Sequence, residues 1–105
     1  MESLTPPYYA VVFRSELRDS AEGYAEAAAQ MEALAETQPG YLGIETLRSG
    51  NQGVSISYWQ DTDAIRSWKA HSEHLMAQQS GRQRWYRWYR VEIAHVERSY
   101  DFGEF

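Results

Sequence analysis

Val54-Ser55-Ile56-Ser57-Tyr58-Trp59-Gln60-Asp61-Thr62-Asp63-Ala64-Ile65-Arg66-Ser67-Trp68-Lys69 changes its period midway, and that change decides the fold. Up to Trp59 the pattern alternates: Val54, Ile56 and Tyr58 face one way, Ser55, Ser57 and Trp59 the other, as on a pleated strand. Beyond it, Asp61 or Thr62 offers a helix cap, and Ile65 and Trp68 lie at a spacing that shares one helical side. The strand therefore covers Val54 to Gln60, and the helix should end near His71. Ser72 reads as a fresh N-cap with Glu73 in the first turn, so a short third helix is expected through Gln79, stopping at Gly81.

Working toward the N-terminus, Ser49-Gly50-Asn51-Gln52-Gly53 makes a turn after a strand from Tyr41 to Arg48, with Leu42, Ile44 and Thr46 on one face. Pro39-Gly40 stops a helix, since proline cannot continue it and glycine accepts a left-handed turn. That helix should be capped by Ser20. Its apolar positions Tyr24, Ala27, Ala28, Met31, Leu34 and Ala35 follow the helical spacing, with Glu22, Glu26, Glu32 and Glu36 outside. The run from Tyr8 to Leu17, rich in aromatic and β-branched residues, is the first strand. Toward the C-terminus a last strand should run from about Trp88 or Tyr89 to Tyr100. Its alternation slips, because Val91 and Ile93 share one parity and Ala94 and Val96 the other, which a bulge or burial of both faces would explain.

Strand, helix, strand, strand, helix, strand is the order of a ferredoxin-like α+β fold (βαββαβ), with right-handed crossovers placing both helices on one face of a four-stranded antiparallel sheet. The 105 residues are expected to form a single domain. The other face of the sheet is left uncovered, although strand one is apolar on both parities: Tyr9, Val11 and Phe13 against Tyr8, Ala10 and Val12. An identical sheet packed face to face, as a homodimer, is the economical cover.

Composition excludes several classes. A net charge of −5 gives no footprint for nucleic acid or anionic lipid. Arg82, Arg84, Arg87 and Arg90, interleaved with Trp85, Tyr86, Trp88 and Tyr89, read as an aromatic core segment with solvated arginines rather than as a stacking platform for single strands. With no cysteine there are no disulfides, thiolate metal sites or thiol catalysis. No signal pattern or membrane-length apolar run is seen, which points to the cytoplasm. The 15 aromatic residues call for an aromatic core, pocket or interface.

The run from Ser57 to Lys69 followed by His71-Ser72-Glu73-His74, together with Pro39-Gly40-Tyr41-Leu42-Gly43, resembles the antibiotic biosynthesis monooxygenase (ABM) family over roughly residues 8–100. The resemblance implies a dimeric α+β barrel with an aromatic-lined pocket between helices and sheet in each subunit. It further implies oxidation of a small aromatic, quinol or polyketide-type substrate by molecular oxygen with no cofactor. Such a substrate carries its own electrons: once deprotonated, an electron-rich phenolate can reduce oxygen, so the protein need only bind, orient and deprotonate it. The chain shows no Gly-rich dinucleotide fingerprint and no phosphate-binding loop, in keeping with that chemistry.

Within that framework Trp68 fits either pocket lining or core, as a large apolar face with one donor. His74 is the general-base candidate, because a neutral imidazole accepts a phenolic proton near neutral pH. On one continuous helix it would point away from the apolar face, so that role requires the break at Ser72; without it His74 is a solvated residue. His71 joins the substrate-binding candidates. His71 and His74 have no third ligand at convincing spacing, and no metal site is expected. Trp59 and Tyr58 lie on opposite faces of their strand, one toward the helices and one toward the partner sheet. Arg14 would hold a substrate anion if it projects to the helix side, and is otherwise an exposed strand-end residue. One subgroup of the superfamily degrades haem with a first-strand Asn, a second-helix Trp and a ligating His ten residues later; here Arg14 or Ser15 and Gln78 occupy two of those places, and only Trp68 matches. The alternative to an oxygenase is a non-catalytic small-ligand-binding or regulatory domain on the same fold.

Overall fold

The strand that is apolar on both sides takes an inner place in the sheet. In the computed structural model, which describes residues 4–105, β1 (Tyr8–Leu17) lies between β3 (Gln52–Trp59) and β4 (Tyr86–Val96), with β2 (Tyr41–Ser49) beyond β3, in the order β2-β3-β1-β4 and antiparallel throughout. Tyr9 pairs with both Trp59 and His95, and Val11 with both Ser57 and Ile93, so one row of side chains crosses the sheet at each position. The expected ferredoxin-like α+β order is the observed one.

Three helices complete the chain: α1 (Tyr24–Glu36), α2 (Thr62–Gln78) and the short α3 (Gly81–Trp85). Two buried clusters tie them to one face. Leu17, Ala27, Trp85 and Tyr86 form one, with Phe13, Tyr24, Met31, Met76 and Tyr89 against it. Ala35, Trp59 and Ile65 form the other, with Tyr9, Val11, Tyr41 and Trp68 around it. Trp59 is fully buried, its indole N–H donating to Ser57 Oγ at 2.9 Å, and Trp85, 1% exposed, donates to the Glu22 carbonyl at 2.9 Å. Each large aromatic thus buries its apolar area without orphaning its one polar atom.

Four local expectations are corrected. First, α1 is not capped by Ser20: it begins at Tyr24, after Gly23 in a left-handed conformation (φ 87°). The Glu22 carbonyl accepts from the Trp85 indole and the Arg84 guanidinium, so a tertiary contact holds this segment as a turn. Second, α2 does not break at Ser72. Ser72 Oγ donates back to the Lys69 carbonyl at 3.0 Å, a bond made inside a helix rather than at its start, while Asp61 caps α2 by accepting from the Ala64 N–H at 2.8 Å. Third, Gly81 opens α3 instead of ending a helix; a Cβ there would lie 2.5 Å from the Trp85 ring, so the side chain is omitted to let the indole in. Fourth, β4 starts at Tyr86 and ends at Val96, and the slip in its apolar pattern is no bulge. Its register with β1 is unbroken from Trp88 to Val96, the irregularity falling between Glu16 and Leu17. Val91 and Ile93 face the helices, Ala94 and Val96 the other way.

The face away from the helices carries Tyr8, Ala10, Val12, Val54, Ile56 and Tyr58, together with Leu47, 74% exposed, and Trp88, 47% exposed. No helix among the described residues is long and apolar enough to cross a membrane.

Candidate functional site

The helical layer covers the start of the edge strand β4, where Tyr86 is buried and Tyr89 packs beside it, but leaves the strand bare from Val91 onward. Val91 and Ile93 sit on the helix face by register with Phe13 and Val11, yet are 44% and 55% exposed. Apolar side chains turned toward a helical layer and still wet mark an open groove. Its floor is Tyr9, Val11 and Phe13 of β1 with Val91, Ile93 and His95 of β4. Its wall is α2, where Trp68, Ser72 and Met76 follow at the four-residue spacing of one helical stripe and are each half-buried. Trp68 packs against one buried cluster and Met76 against the other, so α2 reaches both.

The two ends of the groove are built from rings. Trp68 stacks on Trp59 at 6.1 Å and 22°, and Tyr41 meets Trp59 edge-on at 5.6 Å. At the other end Phe13 stacks on Tyr89 at 5.2 Å and 20°, with Tyr86 edge-on to both. Arg82 fixes Tyr89 by donating to its hydroxyl at 3.0 Å. Flat aromatic surfaces at both ends and aliphatic side chains between them suit a planar, apolar ligand with few polar groups. Among the described residues no group of three or more His, Asp and Glu comes together as a metal cluster would.

Only part of the expected constellation gathers here. Trp68 lines the groove, and Trp59 lies beneath it as fully buried support. Tyr58 points to the opposite face, where its hydroxyl donates to Glu45 Oε1 at 2.5 Å. Arg14 also faces away from the helices, which removes the placement in a helix-side cavity; it pairs with Glu92 across the open face. His71 and His74 are exposed on α2, outside the stripe of Trp68, Ser72 and Met76, because the helix runs on through Ser72. The histidine that the fold does bring to the groove is His95, paired with Tyr9 and packed ring on ring at 4.8 Å. One sequence signal pointed to it: His95 continues the parity of Val91 and Ile93. The arginines of the last third are engaged locally, Arg84 with the Gln79 carbonyl at 2.9 Å and Arg87 with Asp19 at 3.3 Å.

Tyrosine ionisation is suppressed around these clusters. Burial, with Tyr24 next to it, pushes the Tyr86 phenol well above its usual range. Burial and the hydrogen bond to Glu45 push Tyr58 up to about 12, and burial followed by the charges of Glu36 and Glu32 raises Tyr41. Two hollows are also present, the first sharing Met76 with the groove wall. One of about 430 Å³ is lined by Glu73, Met76, Ala77, Ser80, Arg82 and Gln83, and one of about 360 Å³ on the open face includes Arg14, Leu47, Val54 and Trp88.

Residues 7–80 match the model of the family described as Antibiotic biosynthesis monooxygenase. The Uncharacterized protein YqjZ of Bacillus subtilis (strain 168) is 45% identical over 100 residues, covering 94% of this chain and 88% of its own. Among solved structures, SnoaB, a cofactor-independent oxygenase from Streptomyces nogalater, superposes in a mutant form with a TM-score of 0.73 at 21% identity, covering 90% of this chain and 97% of that one. Protein SO0527 from Shewanella oneidensis gives the same TM-score of 0.73 at 14% identity, over 89% and 94%. At such identities the solved structures speak to the fold, and the family match over most of the length carries the assignment: the chain belongs to the antibiotic biosynthesis monooxygenase family.

Proposed function

We propose that this protein is a cofactor-independent monooxygenase of the cytoplasm that oxidises a small aromatic, quinol or polyketide-type substrate with molecular oxygen. The observation that carries the reading is the groove beside β4, apolar along Val11, Val91 and Ile93 and closed at each end by aromatic rings. A planar phenol fits such a surface, and an apolar bed strips water from the anion formed once a proton is removed, which makes that anion a stronger reductant. The electron-rich anion passes one electron to oxygen, and the radical pair collapses to a hydroperoxide on the ring carbon. Loss of water then leaves a carbonyl, so one oxygen atom enters the product and the other leaves as water. No external reductant is needed. Trp68 is assigned to substrate binding and Trp59 to its support.

The working unit is proposed to be a homodimer joined through the open sheet face, where Leu47, Trp88, Val12 and Ile56 would otherwise meet water. Val12→Glu should yield monomers by light scattering.

The test of function is oxygen uptake with hydroquinones and anthrones, paired with anaerobic binding of the same compounds. Turnover consuming one oxygen per substrate supports the oxygenase. Tight binding without turnover favours the ligand-binding alternative, and neither binding nor turnover across the panel removes the proposal.

A further inference from the structure

The geometry points to His95 as the catalytic proton acceptor, a role that rests on the oxygenase reading above. A base for a substrate in the groove must share its face, reach a ligand lying on its floor and keep a nitrogen lone pair free. His71 and His74 stand on the exposed side of α2 and do not meet the first condition. The carboxylates near the sheet also fall elsewhere: Glu92 and Glu45 lie on the opposite face, held by Arg14 and Tyr58, and Glu32 accepts from Thr46 at the far strand β2.

His95 meets all three. Its register with Tyr9 puts it in line with Val91 and Ile93, and two residues along a strand span roughly 7 Å, about one aromatic ring beyond Ile93. The imidazole is exposed, and its ring packs at a tilt against the Tyr9 ring, at 4.8 Å and 32°, which limits its rotation. Neither nitrogen has a hydrogen-bond partner among the described residues. β4 is an edge strand, so β1 is the strand packed against it. Tyr9 is the titratable group in contact, and Glu97, two residues on, is the nearest carboxylate in sequence. The step is a single proton transfer: the substrate O–H breaks, its electron pair stays on the phenolate, and the proton binds an imidazole nitrogen.

Para-nitrophenol, bound anaerobically, separates this assignment from the function it rests on. The wild-type protein should ionise the bound phenol at a pH where it is neutral in water, and His95→Gln should bind it comparably without the phenolate band. In aerobic turnover of dithranol, His95→Gln should lose about 100-fold or more in kcat with little change in KM. Imidazole added to His95→Ala should restore part of the rate. A His95→Gln protein that keeps its rate overturns the assignment and leaves the oxygenase standing. A wild-type protein that neither binds nor oxidises the probes overturns both.

Discussion

Replacing Trp68 with alanine distinguishes a groove wall from plain core. A fully buried Trp→Ala change costs about 3–5 kcal/mol, through lost transfer energy and the cavity left behind. Trp59, with no exposed surface, should fall in that range. Trp68 is half-buried and has one stacked partner, Trp59 at 6.1 Å, so it forfeits part of the transfer energy and a ring contact of roughly 1 kcal/mol. We expect about 2 kcal/mol for Trp68→Ala by urea denaturation followed with circular dichroism. For a domain of this size that is a fall in Tm of about 8–16 °C. Equilibrium binding of an anthrone or hydroquinone should weaken at least ~10-fold, the equivalent of about 1.4 kcal/mol. If Trp68→Ala lost as much stability as Trp59→Ala and left affinity unchanged, the groove would not be where Trp68 stands.

Ser57→Ala removes the acceptor 2.9 Å from the buried Trp59 indole N–H, and should cost about 1–3 kcal/mol in the same denaturation assay. Gly81→Ala places a methyl 2.5 Å from the Trp85 ring and 2.9 Å from Met76 Cγ; a loss of about 1–3 kcal/mol with an altered near-ultraviolet dichroism spectrum is expected, and an unchanged protein would mean that α3 is looser than described. Tyr58 is held neutral to about 12 against an ordinary value of 10.0, so the unfolded chain ionises first. Stability should therefore be level below pH 10 and decline from there through about pH 12, with Tyr86 acting in the same sense. Denaturation midpoints and phenolate absorbance across that range check it, and Tyr58→Phe should reduce the decline.

Much of the architecture is local and therefore legible in the residues themselves. The switch of period between Trp59 and Asp61 marks where a strand hands over to a helix, and the alternation of Ser55, Ser57 and Trp59 against Val54, Ile56 and Tyr58 separates two faces whatever surrounds them. α1 ends at Glu36, before Pro39, and Gly40 makes the turn into β2 with φ 85°; a Cβ there would meet Ala64 at 2.7 Å, so the turn and the close approach both demand glycine. Order of elements then narrows the topology to a handful.

Tertiary contact decided the rest. Parity says which residues share a face but not which face the helices choose, so Arg14 was placed only when Tyr9, Val11 and Phe13 packed beneath Trp68 and Met76. Ser20 and Ser72 both carry cap chemistry, yet neither starts a helix. A carbonyl at Glu22 taken by an indole distant in the chain outweighs one local hydrogen bond, and at Ser72 the helix simply keeps its own ladder. His95 carries no motif at all. It becomes a candidate because pairing with Tyr9 brings a C-terminal residue to the uncovered edge of the sheet, a juxtaposition that exists only in three dimensions.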